Sequence, residues 1–279
     1  MKKSALTMLL AFYTKAFALN FGVSPFFSYN DLKDQFYKNS TLSDSKLKVE
    51  RSGMIAGISA SAKAPVFRFT IINKLSGSVA YGVVDGTLEG QSSTQPTTLE
   101  TKKTSNMKAW KMTVEDTVSY FSKTYSRTAP YIGAGYVYDK YRIEDASATI
   151  YPGSTQASAL VENSKLQGNN KRFYIPFGFI VKATENFSID LRYEKDFLKK
   201  LNKSKVYLQD GSAERVFQKG HGIVLKLDWS FLPSQNTGIS FIAQRHAADY
   251  TGSFIGGAST VQKQSENNFI IQMHWFGNN

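Results

Sequence analysis

FSIDLRYEKDF, residues Phe187 to Phe197, alternates without a break: Phe187, Ile189, Leu191 and Tyr193 fall on one side of an extended chain, and Ser188, Asp190, Arg192 and Glu194 on the other. Successive side chains of a strand point to opposite faces, so this is a strand with one greasy wall and one charged wall. The stretch before it, FYIPFGFIVK from Phe173 to Lys182, places Ile175, Phe177, Phe179 and Val181 on one face and Gly178 and Lys182 on the other. The four residues Ala183 to Asn186 form a short turn between the two. IVLKLDWSF, Ile223 to Phe231, repeats the pattern, with Ile223, Leu225, Leu227, Trp229 and Phe231 set against Val224, Lys226, Asp228 and Ser230. Alternation of this kind is the signature of strands that face lipid on one side and a polar interior on the other.

Working outward, Gly238 to Tyr250 and Asn267 to Trp275 supply two further strands, the last with Phe269, Ile271, Met273 and Trp275 on its apolar face. Tyr131 to Tyr141 (YIGAGYVYDKY) precedes the charged group. The N-terminal half is less regular. Leu19 to Tyr29 places Leu19, Phe21, Val23 and Phe27 together. Lys48 to Thr70 reads as a strand in which Pro65 marks a bulge, bend or turn. Asn73-Lys74 reads as a turn, Leu75 to Val84 as the next strand, and Trp110 to Tyr125 as the return, whose apolar face Asp116 interrupts. A separate strand between Pro65 and Ile72 is the competing reading of this region.

The expected fold is therefore all-β: a single transmembrane antiparallel up-and-down barrel of about ten strands. An even count suits bacterial single-chain barrels. The connections sort by length. Asn73-Lys74, Ser126–Pro130, Ala183–Asn186 and Leu232–Thr237 are short, while Asn30–Ser45, Asp85–Ala109, Glu144–Lys171, Leu198–Glu214 and Thr251–Ser265 are long. The two kinds alternate strictly, which predicts short periplasmic turns and long extracellular loops. A soluble sandwich would also have short strands, but it would not require that order.

The N-terminus predicts export. Lys2 and Lys3 precede the nine-residue apolar run ALTMLLAFY, and Ala16-Phe17-Ala18 offers a cleavage site, so residues 1–18 read as a signal peptide and 19–279 as the barrel. The run is too short to anchor the protein as a helix, which needs about 20 apolar residues. Loss of residues 1–18 removes three lysines and no acid, taking the net charge from +12 to +9. There is no cysteine, and hence no disulfide or thiolate metal site. With 15 Tyr and 20 Phe, the composition favours strands and membrane interfaces. A basic exported chain is drawn to anionic lipid or polyanions. It has no basic helix or binding module that would suit nucleic acid.

The segments PYIGAGYVY (130–138), YIPFGFIV, TENFSIDLRYEKDFL and GHGIVLKLDWSF resemble those of small outer-membrane β-barrel proteins of Gram-negative bacteria, porin-like and adhesin-like members included. The resemblance covers residues 130–276 well and the first half by topology only. It implies an outer-membrane location. It also implies lipid and lipopolysaccharide as surroundings, with periplasmic chaperones and the barrel assembly machinery as partners. Such chains usually end on an aromatic residue, whereas here Gly277-Asn278-Asn279 follow Trp275 and Phe276.

Barrel enzymes exist, and a barrel hydrolase would need a positioned base and nucleophile. The chain has three histidines. A turn centred near 234–235 sets His221 opposite Asp249 near the outer rim, a pair that could orient a base. No positioned nucleophile accompanies it. An omptin-type protease would need Asp-x-Asp and Asp-x-His, and a lipid A deacylase His-x-Ser; none of these occurs. No His/Glu spacing suggests a metal site, and no cofactor is called for. Lys182, Asp190, Arg192, Glu194, Lys226 and Asp228 share the interior parity, either as a filled, paired lumen or as the lining of a pore. Lys199, Lys200, Lys203 and Lys205, in the Leu198–Glu214 loop, are candidates for contact with glycolipid phosphates or a polyanionic host surface, or else form a solvated cluster. The expected function is non-enzymatic, acting through extracellular loops or as a structural element. A small passive channel comes second and an outer-membrane hydrolase third.

Overall fold

A computed structural model of the chain describes residues 20–38, 45–66, 71–91, 99–121, 127–143, 149–151, 167–198, 201–208, 211–232, 237–253 and 259–276. The signal-peptide reading of residues 1–18 lies outside them. Twelve strands form one sheet: β1 (Asn20–Lys38), β2 (Ser45–Val66), β3 (Ile71–Gln91), β4 (Leu99–Tyr120), β5 (Thr128–Ile143), β6 (Thr149–Tyr151), β7 (Gln167–Lys182), β8 (Phe187–Asp196), β9 (Lys203–Leu208), β10 (Gly211–Leu232), β11 (Thr237–Ser253) and β12 (Ser259–Phe276). Neighbours in sequence pair antiparallel except around β6 and β9, all pairings are antiparallel, and β12 pairs with β1, closing the sheet on itself. The result is an all-antiparallel up-and-down barrel of ten staves. Closure removes every unpaired strand edge, the condition for a sheet to stand in hydrocarbon.

Ten staves come from twelve strands for two reasons. The short β6 adds only to the upper part of β4. β9 continues the line of β8, pairing with β7 on one side and β10 on the other. The wall is interrupted between β8 and β9, where Leu198 has φ of 60° and its carbonyl accepts bonds from the amides of Leu201 (2.8 Å) and Asn202 (3.1 Å). The buried Asn202 side chain repairs the ladder. It accepts a bond from the Phe173 amide (2.6 Å) and donates to the Phe197 (2.8 Å) and Phe173 (3.3 Å) carbonyls.

The period-2 reading sets the faces. Phe21, Phe27, Ile58, Val79, Ile132, Phe177, Ile223, Phe241 and Phe269 are all exposed on the outside of the wall. Phe21, Tyr120, Trp229, Phe231 and Trp275 lie toward the end that carries both chain termini, called lower here. Tyr29 and Tyr81 lie further up the wall, about halfway along β1 and β3. Two aromatic belts around an apolar band are what a bilayer selects. Asp116 does face outward, between Val114 and Val118, so the interruption seen in the sequence lies on the lipid face itself.

Four expectations change. Asn73 and Lys74 are not a turn. They lie in β3 opposite Ala64 and Lys63, and the connection is at 67–70. Pro65 sits opposite Ile72 near the end of β2, so no separate strand separates Pro65 from Ile72. Most of the expected long loops are wall: β1 runs to Lys38, β2 starts at Ser45, β3 reaches Gln91 and β4 begins at Leu99. Spanning takes about 9–11 residues, so strands of 19 to 22 carry the barrel well beyond the bilayer. Polar side chains on both faces up there erase the alternation that reveals a strand. Finally, the interior is not uniformly polar. Phe26, Leu32, Val49, Ile55, Val84, Met107 and Tyr141 form an apolar cluster inside β1–β5.

Candidate functional site

Inward-facing polar residues meet across the lumen. Arg51 on β2 grips Asp139 on β5 through two parallel bonds, Nη1 to Oδ1 at 3.1 Å and Nη2 to Oδ2 at 3.0 Å. Its Nε donates to Asn30 Oδ1 on β1 (2.8 Å), and its guanidinium lies 5.5 Å from the centre of the Tyr141 ring. Arg51 is 1% exposed and Asp139 4%, so this fork pair is dry. Such bidentate pairs fix geometry as well as contribute energy. Asn30 donates in turn to Glu266 Oε1 (2.7 Å) and to Asn268, both on β12. Lys111 reaches Glu266 from β4, nearly the far side of the barrel, at 2.7 Å.

The chain of contacts continues round the wall. Asn268 donates to Gln244 on β11 (3.2 Å), and Gln244 donates to Glu194 on β8 (3.3 Å). Glu194 is fully buried and takes Arg172 of β7 (2.9 Å) and Arg192 of β8 (2.7 Å). Arg192 crosses to Glu115 on β4 (3.0 Å), which also accepts the Tyr174 hydroxyl (2.8 Å). Arg172 also reaches Asp196 (3.3 Å), whose other oxygen is 2.8 Å from His246 Nε2. Eight of the ten staves thus enter one connected network. Of the two that do not, β10 contributes room. A Cβ on Gly220 would lie 2.1 Å from Asp196 Oδ2, and one on Gly222 3.2 Å from Glu194 Oε2. Two inward glycines therefore let β8 and β11 side chains meet over β10.

The six charged residues read from parity fall into two groups. Arg192 and Glu194 belong to this upper network. Asp190, Lys226, Asp228 and Lys182 lie below it: Asp190 accepts the Tyr131 hydroxyl (2.7 Å), Lys226 pairs with Asp228 (3.0 Å), and Lys182 is exposed at the lower mouth, 5.8 Å from the Phe121 ring. Of the candidate polyanion residues, Lys199 and Lys200 lie outside the described residues. Lys203 and Lys205 are in β9, opposite Lys171 and Asn169 of β7, not in an open loop.

His221 and Asp249 do not meet. His221 stands opposite Ala247, and Asp249 opposite Lys219, with which it makes a 3.3 Å ion pair. Leu232 stands opposite Thr237, which moves the partner of His221 by one residue from Asp249, and the register shift at Ser230/Leu232 moves it by one more, to Ala247. The His221 ring lies outside the barrel, stacked on Tyr193 at 6.2 Å. The pair that does form, His246 with Asp196, joins strands separated by β10, so no spacing along one strand announces it. Its traceable signal is Gly-His-Gly at 220–222. The two side chains are 3% and 0% exposed. Among the described residues the hydrogen-bond partner of this imidazole is Asp196, and no hydroxyl group is bonded to it. Among the described residues, no group of three or more His, Asp or Glu could hold a metal ion.

A closed ten-stranded antiparallel wall with an apolar belt and short lower turns is the fold of outer-membrane β-barrel proteins. The outer membrane protease OmpT of Escherichia coli matches it with a TM-score of 0.60 at 8% identity, over 94% of this chain and 99% of that one. OprG of Pseudomonas aeruginosa gives 0.41 at 12% identity, over 94% and 98%, and the toluene transporter TodX of P. putida 0.37 at 10%, over 94% and 91%. At such identities the likeness lies in the fold. No protein-family model and no curated protein matches the chain.

Proposed function

We propose that the chain is a sealed, non-enzymatic outer-membrane barrel that acts at the cell surface, through its upper rim and loops or as a structural element of the membrane. One observation carries this reading: the lumen is crossed by direct bonds. Lys111 to Glu266, Arg51 to Asp139 and Arg192 to Glu115 each span several staves, and Glu194 ties the network together. A passive channel would need that network parted. A hydrolase would need its base exposed, whereas His246 and Asp196 are walled in. OmpT is a protease, but this chain has neither Asp-x-Asp nor Asp-x-His, the spacing expected of that chemistry.

The apolar belt supports an outer-membrane location, with both termini in the periplasm and delivery by chaperones and the assembly machinery. We take the basic segment Lys199, Lys200, Lys203 and Lys205 to contact lipopolysaccharide phosphates through four weak attractions that add and that salt screens. Two experiments test the reading. A tag inserted at Thr155 should be reached by antibody on intact cells, and one at Gln235 only after permeabilisation. The quadruple Lys-to-Gln variant should bind lipopolysaccharide or heparin less tightly at low salt, while its heat-modifiable gel mobility stays that of a folded barrel. Labelling of Gln235 on intact cells would reverse the topology. Equal binding across the salt range would remove the polyanion contact.

A further inference from the structure

The outer wall of β4, β5 and β7 carries cations that no acid answers. A barrel strand crosses the apolar band in about 9–11 residues. Counted from their lower ends, β4 leaves the band near Trp110, β5 near Lys140 and β7 near Lys171. All three side chains share the outward parity with Tyr138 and Arg142. Lys140 stands directly opposite Trp110, and Lys171 directly opposite Tyr138. Lys140 also faces Asn169, which makes Lys171 its diagonal neighbour, and Arg142 is the next outward residue above it. Arg142 and Lys171 are exposed, and Lys140 is half-buried.

The described carboxylates of β5, β7 and β8, namely Asp139, Asp190, Glu194 and Asp196, all face inward and are bonded there. Lys140, Arg142 and Lys171 make no side-chain hydrogen bond or ion pair with a described residue. Outward cations above the band elsewhere do have partners: Lys33 pairs with Glu50 (3.7 Å) and Lys219 with Asp249 (3.3 Å). Directly beneath the three free cations the wall is aromatic. Trp110 meets Tyr138 edge-on with ring centres 5.3 Å apart, and Tyr136 meets Phe173 at 4.7 Å. Rings sit at the boundary of a bilayer because one side of them is apolar and the other wet. Rings with cations immediately above them match a lipid that carries phosphate over acyl chains. Three clustered cations call for more than one negative charge, which a diphosphorylated sugar headgroup supplies and a singly charged phospholipid does not.

We propose that the outer face of β4, β5 and β7 is a seat for one phosphorylated glycolipid of the outer leaflet. Lys140, Arg142 and Lys171 take its phosphates, the guanidinium through its two-pronged edge, and the Trp110–Tyr138 pair packs against the apolar part just below. The seat is on the lipid face and leaves the sealed lumen untouched. It is also separate from the segment holding Lys199, Lys200, Lys203 and Lys205. The proposal rests on the outer-membrane reading, whose own test, the accessibility of inserted tags, does not depend on lipid affinity.

The test is native mass spectrometry of the refolded full chain in zwitterionic detergent at low salt, titrated with diphosphorylated lipid A or with phosphatidylglycerol. The wild type should retain one lipid A saturably, and at least about tenfold more tightly than phosphatidylglycerol. Lys140→Gln/Arg142→Gln/Lys171→Gln should weaken lipid A binding at least about tenfold, since the charge-assisted contacts are lost, while keeping the heat-modifiable gel mobility of a folded barrel. Lys171→Gln alone, with a several-fold loss, serves if the triple variant does not fold. Lys33→Gln/Lys219→Gln/Lys263→Gln removes the same charge from the outer face of β1, β10 and β12 and should bind as the wild type does. No saturable binding by the wild type would overturn the proposal. So would equal weakening by the two triple variants, which would mean diffuse attraction, or phosphatidylglycerol held as tightly as lipid A. Loss of lipid A only when Lys199, Lys200, Lys203 and Lys205 become Gln would overturn this seat and leave the contact made by that segment standing.

Discussion

The upper and lower halves of the lumen solve the same problem differently. Both place charge inside a tube whose outer wall is hydrocarbon-facing. The upper half neutralises it internally: Arg51, Lys111, Arg172 and Arg192 each meet a carboxylate at 3.3 Å or less, and side chains from opposite staves interlock. The lower half sets Lys74 opposite Lys63 and holds local contacts such as Lys226 with Asp228 and Tyr131 with Asp190. One half behaves as a polar core, and its ion pairs do for the barrel what packed hydrocarbon does for a soluble domain. Buried ion pairs contribute little net stability compared with hydrocarbon, yet removing one partner is expensive because the other is stranded. The contrast therefore predicts that charge removal is costly above and harmless or favourable below.

The largest effect should come from Arg51→Met. It strands Asp139 and leaves Asn30 short of a donor, and should cost about 3–5 kcal/mol in urea unfolding from lipid vesicles. A cost near zero would mean the upper network is wet. Leu227→Arg sets the scale for the outer wall: it places a guanidinium on the lipid face of β10 and should cost about 2–4 kcal/mol if it lies near the midplane. Its neighbour Asp228→Asn, inward-facing and in the lower half, should cost less than Leu227→Arg, and equal effects would break the assignment of faces. Asp116→Leu removes a carboxylate from the lipid face and should stabilise the barrel by about 1 kcal/mol. Smallest of all, Lys74→Gln relieves the cross-strand repulsion and should stabilise by about 0.2–1 kcal/mol in anion-free buffer. A clear loss there would show that the lower half is also a paired core.

How much of this the sequence reveals follows from where lipid touches the chain. Phe187–Phe197 and Ile223–Phe231 are legible because one face meets hydrocarbon and the other the lumen, so the two-residue period is complete. Asn30 to Lys38 and Leu99 to Asn106 are largely polar in sequence at both parities, so the period vanishes; they look like loops though they are strand. Within the lumen, parity identifies which residues face inward, such as Arg192 and Glu194. It cannot say which meet, because partners such as Lys111 and Glu266 are 155 residues apart in sequence and joined only by closure. Hairpin register sets the rest. An error of one residue in the β10–β11 turn brings His221 to Asp249, while the true register gives Asp249 to Lys219 and leaves His246 to find Asp196 over two glycines.

The sealed upper lumen is tested most directly by single-barrel conductance in a planar bilayer, with incorporation verified independently by a fluorescent label. The wild-type barrel should insert without ohmic steps. Arg192→Ala, which removes the guanidinium that ties Glu194 of β8 to Glu115 of β4 across the lumen, should introduce them. Steps of constant conductance from the wild type would contradict the account.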